Sequence, residues 1–92
     1  MELKRLSITV SGRVQGVGFR YFTEDAAEAL GLTGWVRNTW GGDVEMEVQG
    51  TPDMLEQFIS RVKEGPPLSF VRDFRLNEIP VVKDEKGFSV RY

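Results

Sequence analysis

Leu6, Ile8 and Val10 alternate with Ser7, Thr9 and Ser11. A period of two predicts a half-buried strand over residues 6–11. After a glycine-rich stretch from Gly12 to Gly18 the period becomes helical. Phe22, Ala26, Ala29 and Leu30 fall on one stripe, with Glu24, Asp25 and Glu28 away from it, and Gly31 suits the C′ position that ends a helix. Residues 33–38 and 44–48 then read as two strands around the turn Thr39-Trp40-Gly41-Gly42-Asp43, because Val44, Met46 and Val48 alternate with Glu45, Glu47 and Gln49. A second helix is predicted from Thr51 as N-cap and Pro52 at N1, with Leu55, Phe58, Ile59 and Val62 as its apolar stripe. Lys63 suits its C-terminal dipole, Gly65 a left-handed cap, and Pro66-Pro67 forbid continuation. Residues 69–77 and 87–92 read as strands, the latter with Phe88, Val90 and Tyr92 on one face. Lys83 to Gly87 reads as a solvated turn.

The order strand, helix, strand, strand, helix, strand, with a short extra strand, predicts an α+β fold. It is the ferredoxin-like split βαβ sandwich, an antiparallel sheet carrying two helices on one face. With 92 residues, and with no repeat or linker, residues 1–92 are expected to form a single domain. That fold hosts unrelated functions, so activity must be argued from a site.

Composition narrows the chemistry sharply. The chain has no Cys and no His, which excludes a thiolate nucleophile, a Ser-His triad and a zinc site of imidazole or thiolate ligands. Hydrophobic residues at 40% and a net charge of -2 exclude a disordered chain. A basic nucleic-acid footprint is missing as well. No apolar run reaches the roughly 20 residues of a membrane span. A cytoplasmic monomer that binds neither membrane nor nucleic acid is the expectation.

The segment Gly12-Arg13-Val14-Gln15-Gly16-Val17-Gly18-Phe19-Arg20 joins the first strand to the first helix. Its glycines let backbone N–H groups converge, and unpaired amides at a helix start favour an anion. Arg20 adds a fork of donors suited to phosphate oxygens. Tyr21 stands where a dinucleotide fingerprint needs glycine, and no Gly-Lys-Ser/Thr completes a P-loop. On spacing alone a phosphate cradle and a plain tight turn are equally compatible with these residues. Asn38 ends the strand Trp35-Val36-Arg37-Asn38; its amide can orient a water, although Asn in that place ordinarily makes a turn.

Residues 10–20, Val-Ser-Gly-Arg-Val-Gln-Gly-Val-Gly-Phe-Arg, resemble the phosphate-binding signature of the acylphosphatases. Residues 34–50, including the spacing from Asn38 to Gly42, Val44 and Gly50, resemble the second signature of that family. The likeness runs down to the closing Phe88-Ser89-Val90-Arg91-Tyr92. A comparable domain also resembles the front end of much longer hydrogenase-maturation proteins, whereas this chain is expected to be free-standing.

The resemblance implies hydrolysis of acyl phosphates to a carboxylate and inorganic phosphate, without a metal or other cofactor. It assigns Arg20 and the amides of Gln15, Gly16, Val17, Gly18, Phe19 and Arg20 to the phosphate, and Asn38 to the attacking water. Inorganic phosphate is then expected as product and competitive inhibitor.

The other reading is a non-catalytic RNA- or anion-binding module on the same fold. Lys86 to Tyr92 resembles an aromatic RNA-binding strand, but it is one residue short between Phe88 and Val90. Glu24, Asp25 and Glu28 are expected on a solvated helix face, and Glu45 and Glu47 on an exposed sheet face. Trp35 and Trp40 either pack or flank the site, and the sequence leaves open which does which.

Overall fold

A computed structural model describes residues 2–92. Seven elements follow in the expected order: β1 (Lys4–Arg13), α1 (Phe19–Ala29), β2 (Thr33–Asn38), β3 (Val44–Gly50), α2 (Pro52–Glu64), β4 (Phe70–Ile79) and β5 (Phe88–Arg91). They build one five-stranded sheet in the order β4-β1-β3-β2-β5. β1 pairs antiparallel with both β3 and β4, and β2 antiparallel with β3. β5 alone is parallel to its neighbour, β2. The sheet is therefore mostly antiparallel rather than wholly so. The chain reverses after β4 but crosses to the opposite edge, where β2 already runs in the direction that β5 takes.

Alternation along β1 holds as read: Ile8 and Val10 are completely buried, while Ser7 and Thr9 point to the other face. Val36 of β2 and Val44, Met46 and Val48 of β3 complete the inner face of the sheet. Phe19, Ala26 and Ala27 of α1 and Leu55, Phe58 and Val62 of α2 pack on it as a single core. Burial of apolar surface at about 25 cal/mol per Å² is what holds these layers together.

The stripe of α1 is rotated from its sequence reading. Phe19, Thr23, Ala26 and Ala27 are buried, whereas Phe22 is half-buried and Ala29 exposed. An apolar-only pattern overlooks Thr23, whose hydroxyl donates to the Phe19 carbonyl at 2.8 Å and so enters the core satisfied. The end of α1 is a Schellman motif: Gly31 N–H donates to Glu28 and Leu32 N–H to Ala27, at 3.1 and 2.9 Å. Around α2, Thr51 is extended and its side chain makes no capping bond. Gly65 has φ 70° but ψ 176°, so it is not the left-handed helical residue expected there.

Lys83 to Gly87, read as a solvated turn, is exposed at Lys83, Asp84, Lys86 and Gly87, but Glu85 is half-buried and the whole connection from Pro80 to Gly87 makes specific contacts. Joining the two edges of the sheet, it lies over the face opposite the helices. Gln49 meets it as a strand would, donating to the Val82 carbonyl and accepting from the Val82 N–H, both at 2.9 Å. Beneath it Arg5 is 2% exposed. Its guanidinium donates to both Glu85 oxygens at 2.8 and 3.2 Å and to Glu47 at 2.9 Å. A buried guanidinium is tolerated because carboxylates surround it.

Hydrogen bonding from Arg5 holds the Glu85 carboxyl below its ordinary value. A lowered native value means stabilisation that is complete above the usual glutamate range, about pH 4.3, and lost as pH falls through the native value. Glu85→Gln should destabilise the protein by about 1.5–3 kcal/mol at pH 7, the range for charged hydrogen bonds. Its deficit relative to the parent should shrink toward pH 3, and urea unfolding at the two pH values measures both.

Candidate active site

Five residues, Val14 to Gly18, carry the chain from β1 to α1. Gly16 and Gly18 have φ of 74° and 78°, a region that costs L-residues roughly 1–2 kcal/mol and glycine almost nothing. With Gly18 as N-cap there is no side chain to cap α1, and its first turn holds no acidic residue. Among the described residues, no backbone or side-chain oxygen accepts from the amides of Gln15 through Tyr21. Uncapped amides, the positive end of the helix dipole and Arg20 thus share one place. Their chemistry suits an anion.

That place is a cavity of about 90 Å³, bounded by Gly16, Gly18, Arg20, Tyr21 and Asn38. Asn38 arrives from β2, where it makes the last pair with Val44 of β3. It shares the facing of Val36, toward the helices, so the end of β2 brings Asn38 to that cavity. Arg20 and Asn38, eighteen positions apart in the sequence, line the same cavity. The turn after Asn38 is closed by Thr39 N–H donating to Asp43 at 2.9 Å and by Asp43 N–H donating to the Thr39 hydroxyl at 3.1 Å.

Two side chains at the site went unread in the sequence. Gln15, assigned there for its backbone amide alone, also uses its side chain: Nε2 donates to the carbonyls of Thr39 and Asp43, each at 2.8 Å. Tyr92 keeps the phase of Phe88 and Val90 but stands beyond β5, where its ring lies 4.7 Å from the Arg20 guanidinium carbon. Its hydroxyl is 2.9 Å from that of Tyr21. The alternation along residues 88–92 was the available signal for Tyr92. For the Gln15 side chain there was none.

The tryptophans divide. Trp35 packs on the sheet face away from the helices, with the Arg37 and Arg91 guanidinium carbons 5.4 and 4.6 Å from its ring. Trp40, on the turn after Asn38, is fully exposed and flanks a wide cavity of about 600 Å³ that Asn38 and Tyr92 also border. Glu45 and Glu47 are each paired with a different arginine, Arg37 and Arg5. They do not act as a carboxylate pair. Asp25 and Glu28 are exposed on α1, and Glu24 half so.

The acylphosphatase family profile matches residues 6–90. This chain belongs to the acylphosphatase family. It is 49% identical over 88 residues to an acylphosphatase of Clostridium beijerinckii, covering 96% of this chain and 98% of that one. The acylphosphatase of Bacillus subtilis superposes with a TM-score of 0.93 at 41% identity, covering 99% and 100% of the two chains. An acylphosphatase from Coxiella burnetii gives 0.90 at 43%, covering 97% and 93%. The chain is an acylphosphatase: it hydrolyses the carboxyl–phosphate bond of acyl phosphates to a carboxylate and inorganic phosphate.

The two tryptophans should separate in stability measurements. Trp35→Ala should cost about 1–2 kcal/mol, two cation–π contacts at about 0.5–1 kcal/mol each. Trp40→Ala should stay within about 0.5 kcal/mol of the parent, as surface substitutions do. Chemical unfolding of both variants measures the difference.

Proposed function

We propose that the phosphoryl group of the acyl phosphate is held by Arg20 and the amides of Gln15, Gly16, Val17, Gly18, Phe19 and Arg20, and that Asn38 positions the attacking water. The observation that carries this reading is the shared cavity of Arg20, Asn38 and an uncapped helix start. Amides already aimed at the anion need no reorganisation as charge develops on the equatorial oxygens. Arg20 contributes a planar fork of donors for two of those oxygens. The tyrosine ring against its guanidinium limits how far the side chain swings away.

The leaving group asks for little. A departing carboxylate is a weak base, so no general acid is needed to protonate it. A loose phosphoryl-transfer transition state needs charge stabilisation and a water in line, and the cradle and the Asn38 amide are chemically suited to those tasks. In this reading no metal or cofactor takes part. Inorganic phosphate, the product, fills the same cradle and competes with substrate. The enzyme acts as a cytoplasmic monomer, a single domain over residues 1–92, with neither a membrane nor a nucleic acid as partner. The RNA-binding alternative finds no support in the closing strand, because Phe88 is 8% exposed and packs in the core near Phe58 instead of offering a stacking face.

Phosphate release from a simple acyl phosphate should persist in full with a metal chelator present. Restoration of a chelator-abolished activity by a divalent ion would refute the metal-free mechanism. Under the same conditions Arg20→Lys, which keeps charge but loses the fork, should be badly impaired and lose inhibition by phosphate.

Asn38→Ala removes the partner of the water and not of the phosphate. Turnover should fall roughly a hundred- to thousandfold, equivalent to about 2.7–4 kcal/mol, while phosphate affinity holds. A folded Asn38→Ala variant with near-normal turnover and only a lower melting temperature would reduce Asn38 to a turn-former.

A further inference from the structure

We infer that Gln15 is a positioning residue that fixes the distance between the bound phosphorus and the attacking water. The inference rests on the reading of Asn38 given above. The two halves of the site come from different parts of the chain: the cradle lies between β1 and α1, and Asn38 lies at the end of β2. Gln15 belongs to both. Its backbone N–H is one of the amides proposed above for the phosphoryl group, and its side-chain amide spends both protons on the turn that begins one residue after Asn38.

The geometry leaves the turn little freedom. Both Gln15 bonds are 2.8 Å long, and they reach the first and last residues of the turn, Thr39 and Asp43. Each of those carbonyls accepts a second bond within the turn: Thr39 from Gly42 N–H at 3.3 Å, and Asp43 from Thr39 N–H at 2.9 Å. The turn is therefore closed upon itself and pinned as a unit to residue 15. Asn38 is the last ladder residue of β2, paired with Val44, and is bonded directly to the first residue of that pinned turn. Movement of the turn away from the cradle carries the Asn38 amide with it. A misplacement of about 1 Å in a reacting group costs on the order of a hundredfold in rate.

Only a side chain with two protons on one atom at this length makes both bonds. Gln15→Met keeps length and flexibility without donors. Gln15→Glu sets a carboxylate against two carbonyl oxygens at neutral pH, and on protonation regains one donor.

The test is a kinetic cycle of Gln15→Met and Asn38→Ala, singly and together. Melting temperatures confirm that each variant is folded, and inorganic phosphate serves as the probe of the cradle. Gln15→Met should lower kcat roughly ten- to a hundredfold with the phosphate inhibition constant within about twofold of the parent. In the Asn38→Ala background the same change should cost almost nothing further, because both act on one water. Gln15→Glu should recover part of its kcat relative to Gln15→Met as pH is lowered toward 5, which a loss of packing would not produce. Three results overturn the inference: a folded Gln15→Met with kcat within twofold of the parent, equal losses in kcat and phosphate affinity, or losses that multiply in the double variant. If instead Asn38→Ala itself retains turnover, the water-positioning role of Asn38 fails, and this inference fails with it. Multiplying losses with an impaired Asn38→Ala remove Gln15 alone.

Discussion

Among the described residues, the amides from Gln15 to Tyr21 have hydrogen-bonding capacity that the chain leaves unused, and the proposed active site depends on that fact. Buried or half-buried amides are normally satisfied, and a helix start is normally capped by its own sequence. Here the N-cap is glycine, which has nothing to cap with, and the first turn holds Arg20 where an acid would complement the dipole. Positive potential is concentrated there, and among the described residues no carboxylate is ion-paired with Arg20. In the proposed reading an anionic substrate takes up that capacity, and release of the product phosphate frees it again.

Holding such a loop steady requires a frame that does not yield, and the sheet supplies it. β1, which feeds the loop, is hydrogen-bonded on both sides, to β3 and to β4. β2, which delivers Asn38, likewise lies between β3 and β5. Neither functional segment therefore leaves from a free edge. The face away from the helices is secured by a different kind of contact. Arg5, Gln49 and Glu85 form a polar layer under the β4–β5 connection, so this thin domain is fastened on both faces.

Much of this was legible in the order of residues, for local reasons. Alternation in β1 and β3, the Pro52 start and Pro66 stop of α2, and the glycine turn between β2 and β3 are set by neighbours a few positions away. The parallel placement of β5, the burial of Thr23 and the cover over Arg5 are not, because each depends on which distant segment arrives alongside. The same division runs through the site. Arg20 and the glycine loop are chemically conspicuous, and Asn38 became so through the likeness of residues 34–50 to a known signature. The Gln15 side chain meets partners 24 and 28 positions on. Which side chain spans that distance is decided by the packing of the loop against the hairpin, and no periodicity encodes it.

The crossing from β4 to β5 has a consequence for the order in which the molecule is made. Arg5 closes its ion pair with a residue 80 positions later, and β5 takes its place only by pairing with β2. Distant pairings of this kind slow folding, since long loops must close before their contacts repay the lost entropy. During translation the glycine loop leaves the ribosome long before Glu85, Phe88 and Tyr92 exist. A nascent chain thus carries the whole phosphate signature while still lacking one edge of its sheet, the partner of its buried arginine and the ring beside Arg20.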